Sequence, residues 1–346
     1  MSGSSGLVGS AVCREFHRMG FRVVGLDNDL RSYFFGPEAS TRQVGQALVA
    51  ELPNMVQENI DIRDRDSLHR VFSREGERIA AIIHTAAQPS HDWASTEPFT
   101  DFEVNATGTL NLLENTLQFS PNAIFVFMST NKVYGDLPNK FDYLESDTRF
   151  EPAPGHPHMT GFPENLPVDQ SLHSLFGVSK LSADLLVQEY GRYFGMKTAV
   201  LRGGCLTGKT HQGSELHGFL SFLVKTAKKS GDYKVFGYGG KQVRDNIASE
   251  DVASAISEMV VSGIKVPGVV YNLGGEEDNV SILEVVHYLK EVHDLSFNVF
   301  FGGPARRGDH MWYVSDMSKF RADFPSWTKT KSVWELVDEM VSYQSP

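Results

Sequence analysis

Only two cysteines, Cys13 and Cys205, occur in 346 residues. Two thiols so far apart exclude a disulfide framework and a thiolate metal site. Twelve histidines include no HExxH pair and no cluster at metal-ligand spacing, so no metal is expected. No apolar run approaches the roughly 18 residues of a membrane span, and neither a basic leader nor an apolar signal core opens the chain. A cytoplasmic protein with no membrane partner is therefore expected. Positive charge is also scarce: 32 Lys and Arg face 43 Asp and Glu, giving a net charge of −11, and the cations are scattered. That balance argues against a nucleic-acid partner or a surface tuned to anionic lipid.

What is present is an ordinary globular composition, 41% hydrophobic and 22% charged, sufficient for a packed core. At this length one large domain and one smaller one are expected. In the first half, apolar runs at 21–26, 80–84 and 123–128 read as strands, and amphipathic stretches at 7–19, 66–74 and 102–119 read as helices. Strand, crossover helix and parallel strand in succession predict an α/β fold, a doubly wound parallel (Rossmann) sheet with a smaller C-terminal substrate-binding lobe. Residues 1–170 are expected to form the dinucleotide-binding domain, and 171–346 the active-site helix and the substrate lobe, with later segments adding strands to the sheet. Residues 136–170, dense in Pro, Gly, Asp and Asn, read as a long irregular excursion, and such loops are usually functional. Beyond it, helices are predicted over 175–194, 219–229, 251–262, 281–293 and 333–343, with strands at 197–202, 234–236, 269–273 and 296–301.

Gly3, Gly6 and Gly9 spell GxxGxxG around Leu7 and Val8, directly before a helical pattern and a strand that ends at Asp27 and Asn28. Glycines there give a tight turn, let backbone approach a pyrophosphate, and aim a helix N-terminus at the phosphates. Asp27 would accept the adenosine ribose hydroxyls, and a carboxylate at that place favours NAD over its 2′-phosphorylated form. Only Met1 and Ser2 precede Gly3, so the leading strand of the motif is missing. A central parallel strand is buried on both faces, and the native chain is therefore expected to begin several residues earlier.

With these residues in this order, the chain resembles the NAD-dependent epimerase/dehydratase family, the extended short-chain dehydrogenase/reductases that act on nucleotide sugars. Asp61 and Ile62 of NIDIRD resemble the family's acidic and apolar pair beside adenine. Thr85, Ala86, Ala87 and Gln88 of HTAAQ resemble the strand-end run that lines the dinucleotide, and Asn105 of VNATGTLNLLE resembles the family's helix asparagine. In STNKVYGD, Ser129 falls beside the cofactor and Thr130 at the family's catalytic Ser/Thr position. Sugar 4,6-dehydratases carry Asp-Glu where this chain has Asn131 and Lys132, which the resemblance leaves as substrate contacts and which speak against dehydration.

STNKVYGD together with GKQVRDN at 240–246 looks most like the CDP-sugar 2-epimerases of the family. In that reaction NAD oxidises the sugar carbon, the keto sugar turns its other face, and the hydride returns. Arg244 and Arg306 of ARRGDH would hold the diphosphate, Arg307 reads as a solvated neighbour, and His217 of ELHGFL falls in the sugar and nucleotide loop. Lys180 would hold the nicotinamide ribose. The resemblance also implies a homodimer formed through helix 175–194, whose Tyr190, Tyr193 and Phe194 read as packing residues. A UDP-sugar 4-epimerase or dehydrogenase is the alternative enzyme.

One departure matters. The family's YxxxK pair is Phe176 and Lys180 in SLFGVSK, and a phenyl ring has no proton to exchange. Three readings stay open. Redox chemistry is kept and the proton passes to Lys180, to the imidazole of His173 in SLHS, or to Tyr134. Thr130 and water share hydroxyl activation on a different sugar. Or the chain is a non-catalytic dinucleotide-binding regulator. His173 reads equally well as a helix-start histidine satisfied by backbone, and Thr130 taken alone could merely cap a turn.

Overall fold

The computed structural model describes residues 1–211, 213–214, 218–305 and 308–343. Four parallel strands stand in the order Val269–Leu273, Thr198–Gly203, Ile124–Thr130 and Ala81–His84. A second parallel pair, Val24–Leu26 with Val56–Glu58, continues the sheet. Ser2 joins the two parts, bridged in parallel to both Leu26 and His84. Its N–H donates to the Ile83 carbonyl and its own carbonyl accepts from the Thr85 N–H, each at 3.1 Å. Met1 and Ser2 thus run where the leading strand was expected, beside an apolar cavity of about 370 Å³ lined by Val12, Phe16, Val23, Phe72 and Ile82.

Why Ile124–Thr130 is a near-continuous apolar run is plain from its two faces. Val126 and Met128 pack with Val8 and Val12 of the helix Leu7–Arg18, while Phe125 and Phe127 pack with Ala183 and Val187 of the helix Leu175–Phe194. A parallel strand covered on both sides has no solvent face to make polar. The fold is therefore the expected α/β doubly wound sheet, and two of its strands come from beyond residue 170.

The long helix starts where expected because the Ser174 hydroxyl accepts from the Gly177 N–H at 3.1 Å, and stops at Gly195, whose φ of +70° lies in the left-handed region. Its sheet-facing side buries Phe176, Lys180, Ala183, Asp184 and Val187; Leu175, Val178 and Leu185 are exposed.

The largest surprise is the strand Val243–Ala248, all six of whose residues are buried. It pairs with Cys205–Thr207, Asn279–Ser281 and Trp312–Tyr313. Its spelling, VRDNIA, is polar enough to read as loop, but the burial is offset by hydrogen bonds: Asp245 Oδ2 accepts from the Ser315 N–H at 2.9 Å, and Asn246 Nδ2 donates to the Arg244 carbonyl at 3.0 Å. Around this strand the helices Phe219–Lys228, Ile282–Glu291 and Val333–Ser342 enclose a separate apolar core. Two further corrections concern shape. The excursion at 136–170 contains a small antiparallel hairpin, Tyr143–Glu145 with Phe150–Pro152. The helix expected over 102–119 is interrupted: Phe102 ends the short helix Pro98–Phe102, a π-helical turn, Glu103–Thr107, holds Asn105, and the α-helix resumes at Gly108–Phe119.

Candidate active site

A cavity of about 480 Å³ runs from the glycine turn, past Thr130 and Lys180, to Arg244 and Asp309. At its first end, φ at Gly3 is +69°, and a Cβ there would meet the Ala86 nitrogen at 2.7 Å; one at Gly9 would meet the Gly3 carbonyl oxygen at 1.9 Å. The turn is thus closed to side chains, which leaves bare backbone and a helix start facing the cavity, a cradle that fits a pyrophosphate. Asp27 Oδ2 accepts from the Ser5 N–H and Oδ1 from the Asp29 N–H, both at 2.9 Å, so the carboxylate is fixed at the cavity wall. Burial raises its pKa, against those two hydrogen bonds.

Asn28, Asp61 and Ile62 line the same end. Asp61 is held by Asn28 Nδ2 at 2.9 Å and by an ion pair with Arg63 at 2.7 Å, a partner sequence reasoning missed. Burial would raise this carboxyl, but the Arg63 bonds prevail and lower it.

Thr85, Ala86, Ala87 and Ser129 also line the cavity. Gln88 and Asn105 do not. They are buried behind the wall, where the Gln88 N–H donates to Asn105 Oδ1 and Asn105 Nδ2 to the Gln88 carbonyl, each at 3.0 Å, and Asn105 reaches Ser179 Oγ of the long helix. They brace the wall from behind rather than face a ligand.

At the centre, Lys180 is buried, donates from Nζ to the Met128 carbonyl at 2.8 Å, and lies over the Phe127 ring. Burial pulls its pKa down to about 7, with Asp184 and Asp101 opposing. Thr130 and Phe176 stand in the same wall. The Thr130 hydroxyl accepts weakly from the Lys132 N–H at 3.3 Å.

At the far end, Asn131, Lys132, Arg244 and Asp309 converge. Lys132 Nζ and Arg244 Nη2 share Asp309 Oδ1, so two cations face one carboxylate. Burial would raise the Asp309 carboxyl, yet Arg244 and Lys132 hold it well below the carboxylate range. Asp309 was missed because RGDH gives no spacing to Arg244, 65 residues away. His217 and Arg306, the two other expected substrate contacts, and Arg307 lie outside the described residues.

Two candidates for the proton path are placed elsewhere. His173 does not line the cavity; its Nδ1 and Nε2 face the Ser171 and Val133 carbonyls at 3.0 and 2.8 Å, the backbone-satisfied alternative. Tyr134 is fully buried outside the cavity, donating to Asn272 Oδ1 at 2.8 Å and accepting from Arg202, and burial pushes its hydroxyl up to about 12. Neither geometry suits a base acting on a ligand. Unexpected in the wall is His91, which opens the short helix His91–Thr96. Trp93 of that helix packs on Tyr33 and Phe34 of Leu30–Phe35, beside the Asp27 end.

A glycine cradle and a fixed carboxylate stand at one end of the cavity and paired cations at the other. Residues 1–274 match the family described as NAD dependent epimerase/dehydratase. The chain belongs to that family. The chain is 31% identical over 290 residues to CDP-paratose 2-epimerase of Salmonella typhi, covering 82% of this chain and 83% of that one. It is 29% identical to dTDP-glucose 4,6-dehydratase of Neisseria meningitidis, over 84% and 75% of the two chains. Among solved structures, UDP-glucose 4-epimerase of Thermus thermophilus in complex with NAD superposes with a TM-score of 0.75 at 25% identity, over 98% and 96% of the chains. The cofactor of this epimerase/dehydratase is NAD. Among the described residues no helix is long and apolar enough to cross a membrane, and no group of His, Cys, Asp or Glu could hold a metal ion.

Proposed function

We propose that the protein is an NAD-dependent epimerase of a nucleotide-diphosphate sugar, working through a transient keto sugar, with C2 of a CDP-sugar as the preferred centre. The observation that carries this reading is the single cavity that joins the dinucleotide cradle to the Lys132 and Arg244 cations through Thr130 and Lys180. Bound NAD supplies the hydride acceptor that makes a ring carbon trigonal and so open to return from either face. Arg244 and Lys132 bind the diphosphate: its charge takes over from Asp309 as their counter-ion. Thr130 hydrogen-bonds the reacting hydroxyl, and Lys180, kept close to neutrality by burial, sits against the cofactor ribose. Asn131 and Lys132 in place of an acid and base pair favour epimerisation over loss of water.

Residues 1–170 are taken as the cofactor domain and 171–346 as the active-site helix and substrate lobe. A homodimer through the long helix is supported by the exposed Leu175, Val178 and Leu185 and by Phe99 and Phe102 on the neighbouring segment. The test is to denature the purified protein and weigh the released dinucleotide, then to incubate fresh protein with CDP-, UDP-, GDP- and dTDP-sugars in deuterated water and follow the sugar by NMR. Inversion at one carbon without net NADH supports the epimerase; stoichiometric NADH identifies the dehydrogenase; bound NAD with no turnover favours the regulator.

A further inference from the structure

We propose that His91 takes the proton of the sugar hydroxyl in this chain, the task that Phe176 cannot perform. The assignment rests on the epimerase reading above. The two rings are neighbours in the cavity wall, with centroids 5.1 Å apart in an edge-to-face arrangement. His91 Nδ1 stands 2.7 Å from the Ser174 hydroxyl. That hydroxyl already accepts from the Gly177 N–H as the cap of the long helix, and a second lone pair can accept from Nδ1–H. Such a bond puts the ring proton on Nδ1 and makes Nε2 the basic nitrogen, the arrangement in which a third group orients a catalytic imidazole. The same helix cap that starts Leu175–Phe194 therefore also orients the base.

Three other groups in this part of the wall suit the task less. Lys180 is turned to the Met128 carbonyl, Lys132 is bound to the Gly308 carbonyl and to Asp309, and the Thr130 hydroxyl is no base near neutral pH. Among the described residues, the charged groups on the elements packed against the His91 helix include Asp101 of Pro98–Phe102 and Lys180 and Asp184 of the long helix, with Asp92 next to His91 itself; Lys132 and Asp309 stand further along the same wall. An imidazole nitrogen can both take and return a proton.

The step balances. The sugar O–H bond breaks, its proton goes to Nε2 of His91, and its electron pair becomes the second bond of C=O. The C–H pair leaves as hydride to the oxidised nicotinamide dinucleotide. On return, hydride adds to the carbonyl carbon and the His91 imidazolium gives its proton back to the alkoxide oxygen.

The test uses the full NAD-loaded chain as wild type, His91→Gln, His91→Ala and the double variant His91→Ala/Phe176→Tyr, with the sugar NMR assay. Loss of a positioned base is expected to cut kcat about 10²- to 10⁴-fold, with KM and bound NAD unchanged, and to remove the near-neutral limb of the pH profile. The double variant should recover at least about tenfold of the His91→Ala loss, because it restores the phenol beside Lys180. In parallel, ¹⁵N-histidine NMR, with the His91 signals identified by their absence in His91→Gln, should show the Nδ1–H tautomer and a titration midpoint that moves when CDP-glucose or UDP-glucose is added. Unchanged kcat in His91→Gln, or an Nε2–H tautomer, overturns the assignment. A wild type that turns over no sugar removes the epimerase reading; a His91 midpoint indifferent to the nucleotide sugar then removes the His91 assignment as well, and one that moves keeps His91 at the ligand.

Discussion

Lys132 and Arg244 both bind the same oxygen, Oδ1 of Asp309, at 3.2 and 2.5 Å. A carboxylate between two cations offsets one of their two charges. Asp309→Asn is therefore expected to destabilise the ligand-free protein by about 1–3 kcal/mol, the scale of hydrogen bonds to charged groups. CDP should raise Tm more in the variant than in the wild type, because phosphate replaces the missing charge; equal shifts in a thermal melt would contradict this. The pH dependence has a definite sign. Folding depresses the Asp309 pKa, so the unfolded chain takes its proton first, and the wild type's lead is complete above the unfolded value of about 3.9 and shrinks as pH falls below it.

Lys180 should show a slope of the same sign in a higher pH window. Its folded pKa of about 7 lies below the unfolded value of about 10.4, so between these the unfolded chain binds the extra proton and stability rises with pH. Lys180→Met removes this titration. Its stability relative to wild type is expected to be highest at or below pH 7 and to fall steadily toward pH 10, read from urea midpoints at each pH. A constant gap would mean that Lys180 is charged when folded.

The cradle is the most direct target. Asp27→Asn weakens a charge-assisted hydrogen bond to the ribose, and the NAD Kd should rise about 10- to 100-fold by calorimetry. Gly9→Ala places its Cβ 1.9 Å from the Gly3 oxygen, so the turn must open. The purified variant should carry no dinucleotide, visible in its ultraviolet absorbance ratio.

Tyr134→Phe is expected to leave kcat within about threefold and to lower stability by about 1–2 kcal/mol, since it only strips a buried hydroxyl from Asn272 and Arg202. A large kcat loss with normal stability would return Tyr134 to the chemistry.

The legible parts of this protein are those where one physical rule acts locally. The helix Leu175–Phe194 is readable to the residue because a serine cap, a terminal glycine and 3.6-residue periodicity agree. The strand Ile124–Thr130 is readable because both faces are dry. Val243–Ala248 is not: burying Arg244 and Asp245 makes sense only once Asp309 and Ser315 are in place to partner them, and neither is near in sequence. The cofactor end follows from a contiguous motif. The proton path does not, since His91 meets Ser174 and Phe176 across more than eighty residues of chain. Phe176 shows that something is absent, and only packing shows what stands beside it.

The helix His91–Thr96 spans from the centre of the cavity toward its Asp27 end, with His91 in the wall beside Phe176 and Trp93 against Tyr33 and Phe34. In optical terms the protein contains its own donor. Indole emission overlaps the absorption of reduced nicotinamide, so excitation of Trp93 should be quenched by energy transfer whenever hydride has left the sugar. Each catalytic cycle would then be a brief dip in the protein's own fluorescence, readable without a label or a coupled assay.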